Sequence, residues 1–337
     1  MYNLNHYDYI IIGAGLAGCV AARELTGRGF HCLVIERRDH IGGNCYSYNV
    51  GNIDVHKYGP HIFHTNKKEL WDYINRFDKW EKYYHEVVSL HDGVLYDFPP
   101  NTNVLKELCK TSKVTFEAKE QIYNTFYKEY TTKAWLGEFP PFDVMDRIPI
   151  KTTKDNHYWP DKYQGLPSSG YGNFFKNMLE GIDVVCGVEL LPSCYKDLVP
   201  KIIYTGRVDS LFNYKRGYLK YRGVKFITNI FDCERIQPYA SINYSDSNIL
   251  ALRQMEWKNF TNQESKKIPY TVVTKEYATM SGEDYPYIDS QNVNMHKIYA
   301  DMAEIDGIIL MGRLGLYRYM NMDETIESTL EIIRGIK

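Results

Sequence analysis

Gly13, Gly15 and Gly18 stand in the spacing Gly-x-Gly-x-x-Gly, between the apolar run Tyr7-Asp8-Tyr9-Ile10-Ile11-Ile12 and an alanine-rich segment ending near Gly27. A second apolar run, Cys32-Leu33-Val34-Ile35, closes on Glu36. The chemistry of such a set is dinucleotide binding. Gly13 permits a tight turn, Gly15 lets backbone approach a pyrophosphate, and Gly18 lets a helix pack on the preceding strand. Leu16 opens a helix whose free N–H groups suit phosphate oxygens, and Glu36 offers a carboxylate to a ribose diol. Arg37-Arg38 adds charge, and Gly42-Gly43-Asn44 adds a second place for close backbone approach. His61 and His64 stand three apart in Tyr58-Gly59-Pro60-His61-Ile62-Phe63-His64-Thr65. They lack an HExxH context or an acid at ligand spacing, so no metal is expected. No side-chain nucleophile or acid/base triad stands out.

Positioning these groups takes a strand, a glycine turn, a helix and a second strand. Beyond them, Leu70, Trp71, Ile74 and Phe77 recur at helical spacing and predict an amphipathic helix over 67–80. Residues 83–98 alternate around Asp92-Gly93, a hairpin turn signal, and Pro99-Pro100 ends that hairpin. From about Val104 to Lys133 the pattern is helical, with Thr111-Ser112-Lys113 between two helices. Ile122, Phe126 and Tyr130 fall on one face there, which by periodicity alone is a core stripe. Residues 136–149 form a loop of lid length ending in Arg147-Ile148-Pro149. A helix starts over 172–179, and Val184–Val188 and Ile202–Gly206 read as strands. Residues 224–278 alternate as an antiparallel sheet. Asp306–Arg313 reads as a buried strand before a helix that starts near Asn321.

The chain of 337 residues suits two or three lobes. A net charge of −2 provides no basic field for nucleic acid. No apolar run is long enough to span a bilayer, and Asp8 interrupts any signal-peptide pattern. Seven scattered cysteines without a CxxC pair point to a reducing, cytoplasmic compartment rather than a disulfide framework. Tyrosine outnumbers phenylalanine 30 to 14, which suits sites for sugars, bases and phosphates.

Arg38-Asp39-His40-Ile41-Gly42-Gly43-Asn44 and Tyr58-Gly59-Pro60-His61-Ile62-Phe63-His64-Thr65 resemble the signature blocks of the UDP-galactopyranose mutases, and the likeness runs almost end to end. A basic pair and Gly-Gly after the second strand also resemble FAD enzymes of the glutathione-reductase type, with Arg37 or Arg38 supplying charge. The fold implied is α/β: a discontinuous Rossmann-like FAD-binding domain over 1–82, 178–210 and 291–337, a small helical lobe with a substrate lid over 99–146, and an antiparallel sheet domain over 83–98, 147–177 and 211–290. Its implied cofactor contacts are Gly13, Gly15, Leu16, Gly18, Glu36, Arg37, Gly43, Asn44, His61, Ile62, Val188, Arg313, Met320, Asn321 and Met322. Phe126, Tyr130, Thr131 and Trp135 match positions that hold uridine, and Tyr158 and Trp159 match aromatics lining the site. Arg147 matches the lid arginine and Arg222 a second diphosphate arginine, with Tyr285 and Tyr319 as diphosphate tyrosines. His85 and Asn243 fall near the sugar. Arg253, Glu256 and Lys258 keep an Arg-x-x-Glu-x-Lys spacing, in which 253 and 256 face opposite sides of a strand.

The resemblance implies a redox-neutral isomerase converting UDP-galactopyranose to UDP-galactofuranose. Its nucleophile is reduced FAD, whose N5 attacks the anomeric carbon; the sugar ring opens and recloses, and UDP re-attacks. Arg147, Arg222 and His61 carry the catalytic roles. The implied partners are a UDP-sugar, an electron donor such as NAD(P)H or a reductase and, as an option, a homo-oligomer. Three departures stand out: the helical lobe is shorter than usual, His85 in Tyr84-His85-Glu86-Val87 stands where the family usually has an asparagine, and Asn321-Met322-Asp323 replaces Asp-Met-Asp. Loss of that acid would make flavin reduction easier. The alternatives are a mutase for another nucleotide sugar, a flavin oxidoreductase of the amine oxidase type, and a non-catalytic nucleotide-sugar binder.

Overall fold

The computed structural model describes residues 4–138, 144–190, 200–260 and 267–336. Strand β1 (Tyr9–Ile12), helix α1 (Leu16–Gly27) and strand β2 (Cys32–Glu36) begin a five-stranded sheet. Its order is Asp183–Cys186, β2, β1, Lys201–Tyr204, Ile309–Leu310, all parallel. Unbroken apolar strands need both faces covered. Tyr9, Ile11, Cys32 and Val34 pack into one core with Val20 of α1 and Ile326 of the C-terminal helix Met322–Gly335. Ile10, Leu33 and Ile35 pack on the other side with Val208, Leu211 and Tyr299.

A seven-stranded sheet carries the second layer. Its order is Tyr285–Pro286, Tyr221–Phe231, Thr271–Thr279, Arg253–Glu256, Ser241–Tyr244, Val87–His91, Val94–Phe98. Every pair is antiparallel except Ser241–Tyr244 with Val87–His91, so the sheet is mixed. The Val87–Phe98 hairpin turns on Asp92 (φ 48°) and Gly93 (φ 78°), the left-handed pair that a two-residue hairpin requires. A three-stranded sheet joins Phe63–Thr65 and Trp80–Lys82 to Tyr163–Pro167. Segments expected in different domains therefore share one sheet.

The helical lobe begins at Asn101, whose side chain accepts from Asn103 N and Val104 N, and resumes at Thr115, which caps Phe116–Ile122 by accepting from Ala118 N. The expected 67–80 helix stops at Ile74, because Trp80 enters the three-stranded sheet while its Nε1 donates to Ile74 O at 3.2 Å. The expected strand over 306–313 shrinks to Ile309–Leu310, since Gly312 (φ 73°) starts a helical turn, Gly312–Gly315. Between Tyr123 and Tyr127 the lobe widens to π-helix before Lys128–Ala134. That widening rotates Tyr130 off the Ile122–Phe126 stripe. Phe126 is 2% exposed among Phe98, Val104 and Ile122, while Tyr130 is half-buried. Among the described residues no helix is long and apolar enough to cross a membrane.

Candidate active site

Where β1 and β2 end, a cleft opens between Gly13–Ala17, Glu36–Arg38, Gly42–Cys45, Val188–Leu190, Tyr204–Arg207 and Gly312–Leu314. It is open to solvent at its mouth. Its floor is glycine against glycine. Gly42 N donates to Ala14 O at 2.7 Å, and a Cβ on Gly43 (φ 57°) would lie 2.8 Å from Gly15 Cα. A Cβ on Gly13 (φ 103°) would lie 2.1 Å from Thr205 Oγ1. Helix α1 starts at Gly15 with no side-chain cap, so its first N–H groups are open to an anion at the cleft wall. Glu36 accepts from Ala14 N at 2.7 Å and Arg38 N at 2.8 Å; a carboxylate retains further lone pairs for a ligand. These features fit a dinucleotide.

Gly13, Gly15, Leu16, Glu36, Arg37, Gly43, Asn44, His61, Val188, Arg313, Met320 and Met322 all line this cleft. Gly18, Ile62 and Asn321 stand behind it. A Cβ on Gly18 would meet Gly13 O at 1.9 Å, so this glycine seats α1 on β1. Ile62 is a core residue, and Asn321 caps the C-terminal helix, receiving Glu324 Oε2 on its own N–H at 2.7 Å. The Asn321 departure thus comes with an acid, Glu324, folded back on the same helix start.

His61 N donates to His56 Nδ1 at 3.0 Å, and His61 O accepts from Tyr171 Oη at 2.9 Å. Its Nδ1 lies 2.9 Å from Gly59 O, and a carbonyl only accepts, so Nδ1 carries the proton and Nε2 is an acceptor. Burial pushes this imidazole down to about 3, with His56, Arg313 and Arg253 acting in the same sense. His64 diverges from it, bonding Asp161 at 2.7 Å and stacking on Trp159 at 4.2 Å.

Beyond Arg313 the cleft meets a cationic–aromatic cluster. The Arg222 guanidinium lies 4.5 Å from the Tyr285 ring and 5.1 Å from Trp135. Tyr285 stacks on Tyr319 at 6.0 Å, and Arg313 stands 6.0 Å from the Tyr285 ring, joining cluster to cleft. Arg222 pairs in register with Tyr285 across adjacent strands, and its Nη1 donates to Ala134 O in the helical lobe. Its Nε is buried with no hydrogen-bond partner among the described residues. A buried guanidinium N–H of that kind calls for an acceptor.

Next to it, three strands align Glu276, Arg253 and Asn243 as direct partners. Arg253 grips Glu276 with two bonds, 2.6 and 3.2 Å. Burial alone would lower the Arg253 pKa, but Glu276, Tyr130 and Tyr285 hold it well above the ordinary value. Burial pushes Tyr285 up to about 12 and also raises Tyr130 and Tyr158, with Arg253 opposing in each case. The sheet thus gathers Tyr130, Tyr158, Asn243, Arg253 and Tyr285 around one charge. Glu256, on the far side of the strand, accepts from Ile236 N, Gln237 N and Thr271 Oγ1, and Lys258 donates to three backbone carbonyls. Both support the sheet.

His85 is 2% exposed, bonds Tyr83 Oη at 3.1 Å, and stacks on Trp159 and Phe260. Burial, with Arg253 nearby, pushes it down to about 3. Tyr158 N donates to His85 O at 2.6 Å. Thr131 O accepts from Trp135 N at 2.9 Å, and Phe126 belongs to the core. Arg147 is exposed at the end of the turn Met145–Arg147, next to buried Ile148. Residues 139–143 of the expected lid lie outside the described residues.

A family profile described as UDP-galactopyranose mutase matches residues 125–319, and one described as an NAD(P)-binding Rossmann-like domain matches residues 11–77. The chain belongs to the UDP-galactopyranose mutase family. It is 31% identical to a "Probable UDP-galactopyranose mutase" of Klebsiella pneumoniae over 97% of this chain and 94% of that one. It is 29% identical to a dTDP-fucopyranose mutase of Escherichia coli over 96% of each. The fold matches a crystal structure of reduced UDP-galactopyranose mutase with a TM-score of 0.77 and 17% identity, covering 98% of this chain and 95% of that one. It is therefore a mutase of this family, and family and Rossmann-like domain together imply FAD for the cleft.

Sequence reasoning passed over Thr205, Gly206, Arg207, Glu283 and Gly312, which also line the cleft. Thr-Gly after a predicted strand was the available signal for the first two. Arg38 is held by Asn44 Oδ1 at 3.0 Å and lies 4.4 Å from the Tyr58 ring, whereas Arg37 pairs with Glu283. Glu276 pairs with Arg253, and nothing near either residue in the sequence signals that pairing.

Proposed function

We propose that this mutase acts with reduced FAD, converting UDP-galactopyranose to UDP-galactofuranose. The observation that carries the reading is Arg222: a partly buried guanidinium whose buried Nε has no partner among the described residues, framed by Trp135 and Tyr285, beside a glycine-floored cleft. Bound reduced FAD supplies the nucleophile for the anomeric carbon. The chain's own residues then hold UDP while it leaves and returns. Arg222 presents a planar fork to phosphate oxygens, and Tyr285 and Tyr319 present hydroxyls. Arg147, at the position of the family's lid arginine, closes over the diphosphate. Trp135, Tyr130, Thr131 and Phe126 form or back the uridine side, while Asn243, His85, Tyr158 and Trp159 bound the sugar. Neutral His61 keeps an acceptor at the cleft without adding charge. Residues 1–82, 178–210 and 291–337 serve the flavin, 99–146 the lid, and the remainder the sugar.

A second nucleotide sugar is favoured by one observation: identity to the fucopyranose mutase nearly equals that to the galactopyranose mutase. The test is product chromatography after mixing dithionite-reduced protein with UDP-galactose, dTDP-fucose and related nucleotide sugars. The expected outcome is pyranose–furanose exchange without oxygen uptake. Substrate-driven flavin reduction with oxygen consumption, or inertness toward the whole panel, would overturn the reading.

A further inference from the structure

Asp284 touches both halves of the site, and nothing in the mechanism above uses it. It sits in the turn just before Tyr285. Its Oδ1 accepts from Asn44 Nδ2 at 3.2 Å, and its Oδ2 accepts from Val224 N at 2.8 Å. Its backbone oxygen accepts from the Arg313 guanidinium. Asn44 in turn receives both Nη atoms of Arg38 at 3.0 Å. Asn44, Arg38 and Arg313 line the cleft; Val224 lies two residues beyond Arg222 on the same strand.

The turn cannot slide independently of that strand. A Cβ on Gly223 would lie 1.8 Å from Ser281 O, and Gly282 (φ 123°) lies against Gly223 so closely that its own Cβ would stand 2.9 Å from Gly223 Cα. Backbone in contact with backbone transmits displacement rather than absorbing it. A change at Asn44 when the cleft fills is therefore delivered through one carboxylate to the strand carrying Arg222 and to the residue preceding Tyr285. The Asp284 carboxyl is biased upward by burial, against the Val224 N–H, Arg313 and Arg38 and with Glu276, so its charged form depends on these same partners.

We propose that Asp284 is a positioning residue that couples occupation of the nucleotide cleft to the alignment of Arg222 and Tyr285 for a diphosphate. This rests on FAD filling the cleft and UDP meeting Arg222. Coupling between two ligands is a free energy shared equally by both. Asparagine at 284 keeps the shape but cannot accept at both oxygens.

The test is UDP affinity of the full chain, measured by calorimetry on flavin-stripped and FAD-saturated protein, for wild type, Asp284→Asn and Asn44→Ala. FAD saturation is expected to tighten UDP about fivefold or more in wild type, and by less than about twofold in both variants. The reciprocal effect of UDP on FAD affinity falls by the same factor. An undiminished FAD-dependent gain in a folded Asp284→Asn protein overturns the inference while leaving the functional reading intact. If Asp284→Asn does not fold, an undiminished gain in Asn44→Ala does so. Wild type that binds neither FAD nor UDP overturns the reading itself.

Discussion

Two glycines of α1 are open to the same substitution with opposite outcomes. Within a helix, Gly→Ala is favourable by about 1 kcal/mol from backbone entropy alone. A Cβ on Gly27 meets nothing within 4 Å, so Gly27→Ala keeps much of that gain. A Cβ on Gly18 would stand 1.9 Å from Gly13 O and 3.1 Å from Gly13 C, a fixed backbone group in a left-handed turn. Relief requires α1 to back off β1 by more than an ångström. Cys19, Val20, Ala21 and Ala22 are all fully buried beside it, so the whole face loosens. Overpacking of this kind costs about 3 kcal/mol, leaving Gly18→Ala roughly 2 kcal/mol less stable than wild type. The open N–H groups of Leu16 and Ala17 retreat with the helix, and flavin retention fails. Urea midpoints and FAD content of the two purified variants check this. A Gly18→Ala protein as stable as Gly27→Ala, with full flavin, would refute the account of how α1 is seated.

Arg222→Lys keeps the charge but loses the fork, and UDP affinity measured by calorimetry is expected to fall about tenfold or more. His61 and His85 each drop to about 3 in the folded chain from an ordinary 6.5. Between those values the unfolded chain binds the extra proton, so each histidine lowers stability as pH falls, by about 1.4 kcal/mol per pH unit. In His85→Phe the slope of unfolding free energy from pH 6 to pH 4 becomes shallower by that amount; an unchanged slope speaks against a neutral buried His85. Glu256→Ala strands the N–H groups of Ile236 and Gln237 and the Thr271 hydroxyl, at about 3 kcal/mol, with KM unchanged in the folded fraction.

What could be read from residue order alone was whatever depends on near neighbours. The Gly13–Gly18 turn, the apolar strands on either side and Glu36 lie within one supersecondary unit, and steric demands of turn and helix start set their types. The Asp92-Gly93 hairpin followed for the same reason. Periodicity erred where one backbone irregularity intervened: a five-residue π segment parted Tyr130 from the Ile122–Phe126 stripe, sending Phe126 to the core and Tyr130 toward Arg253. The helix expected to 80 was cut short by a sheet partner 83 or more residues away in sequence, Tyr163–Pro167.

Tertiary structure alone decided the electrostatics. Arg253 and Glu276, or Asn44 and Asp284, carry no mark of each other in the sequence, because strand register and the packing of one sheet on another bring them together. Likewise the resemblance named Arg222, but only the fold shows that its Nε is buried with no acceptor among the described residues. The sequence by itself determined the nucleotide fold and the kind of groups available to it. Which of those groups share one desolvated space, and so feel each other's charge, depended on the closed fold, since only there is water excluded between them.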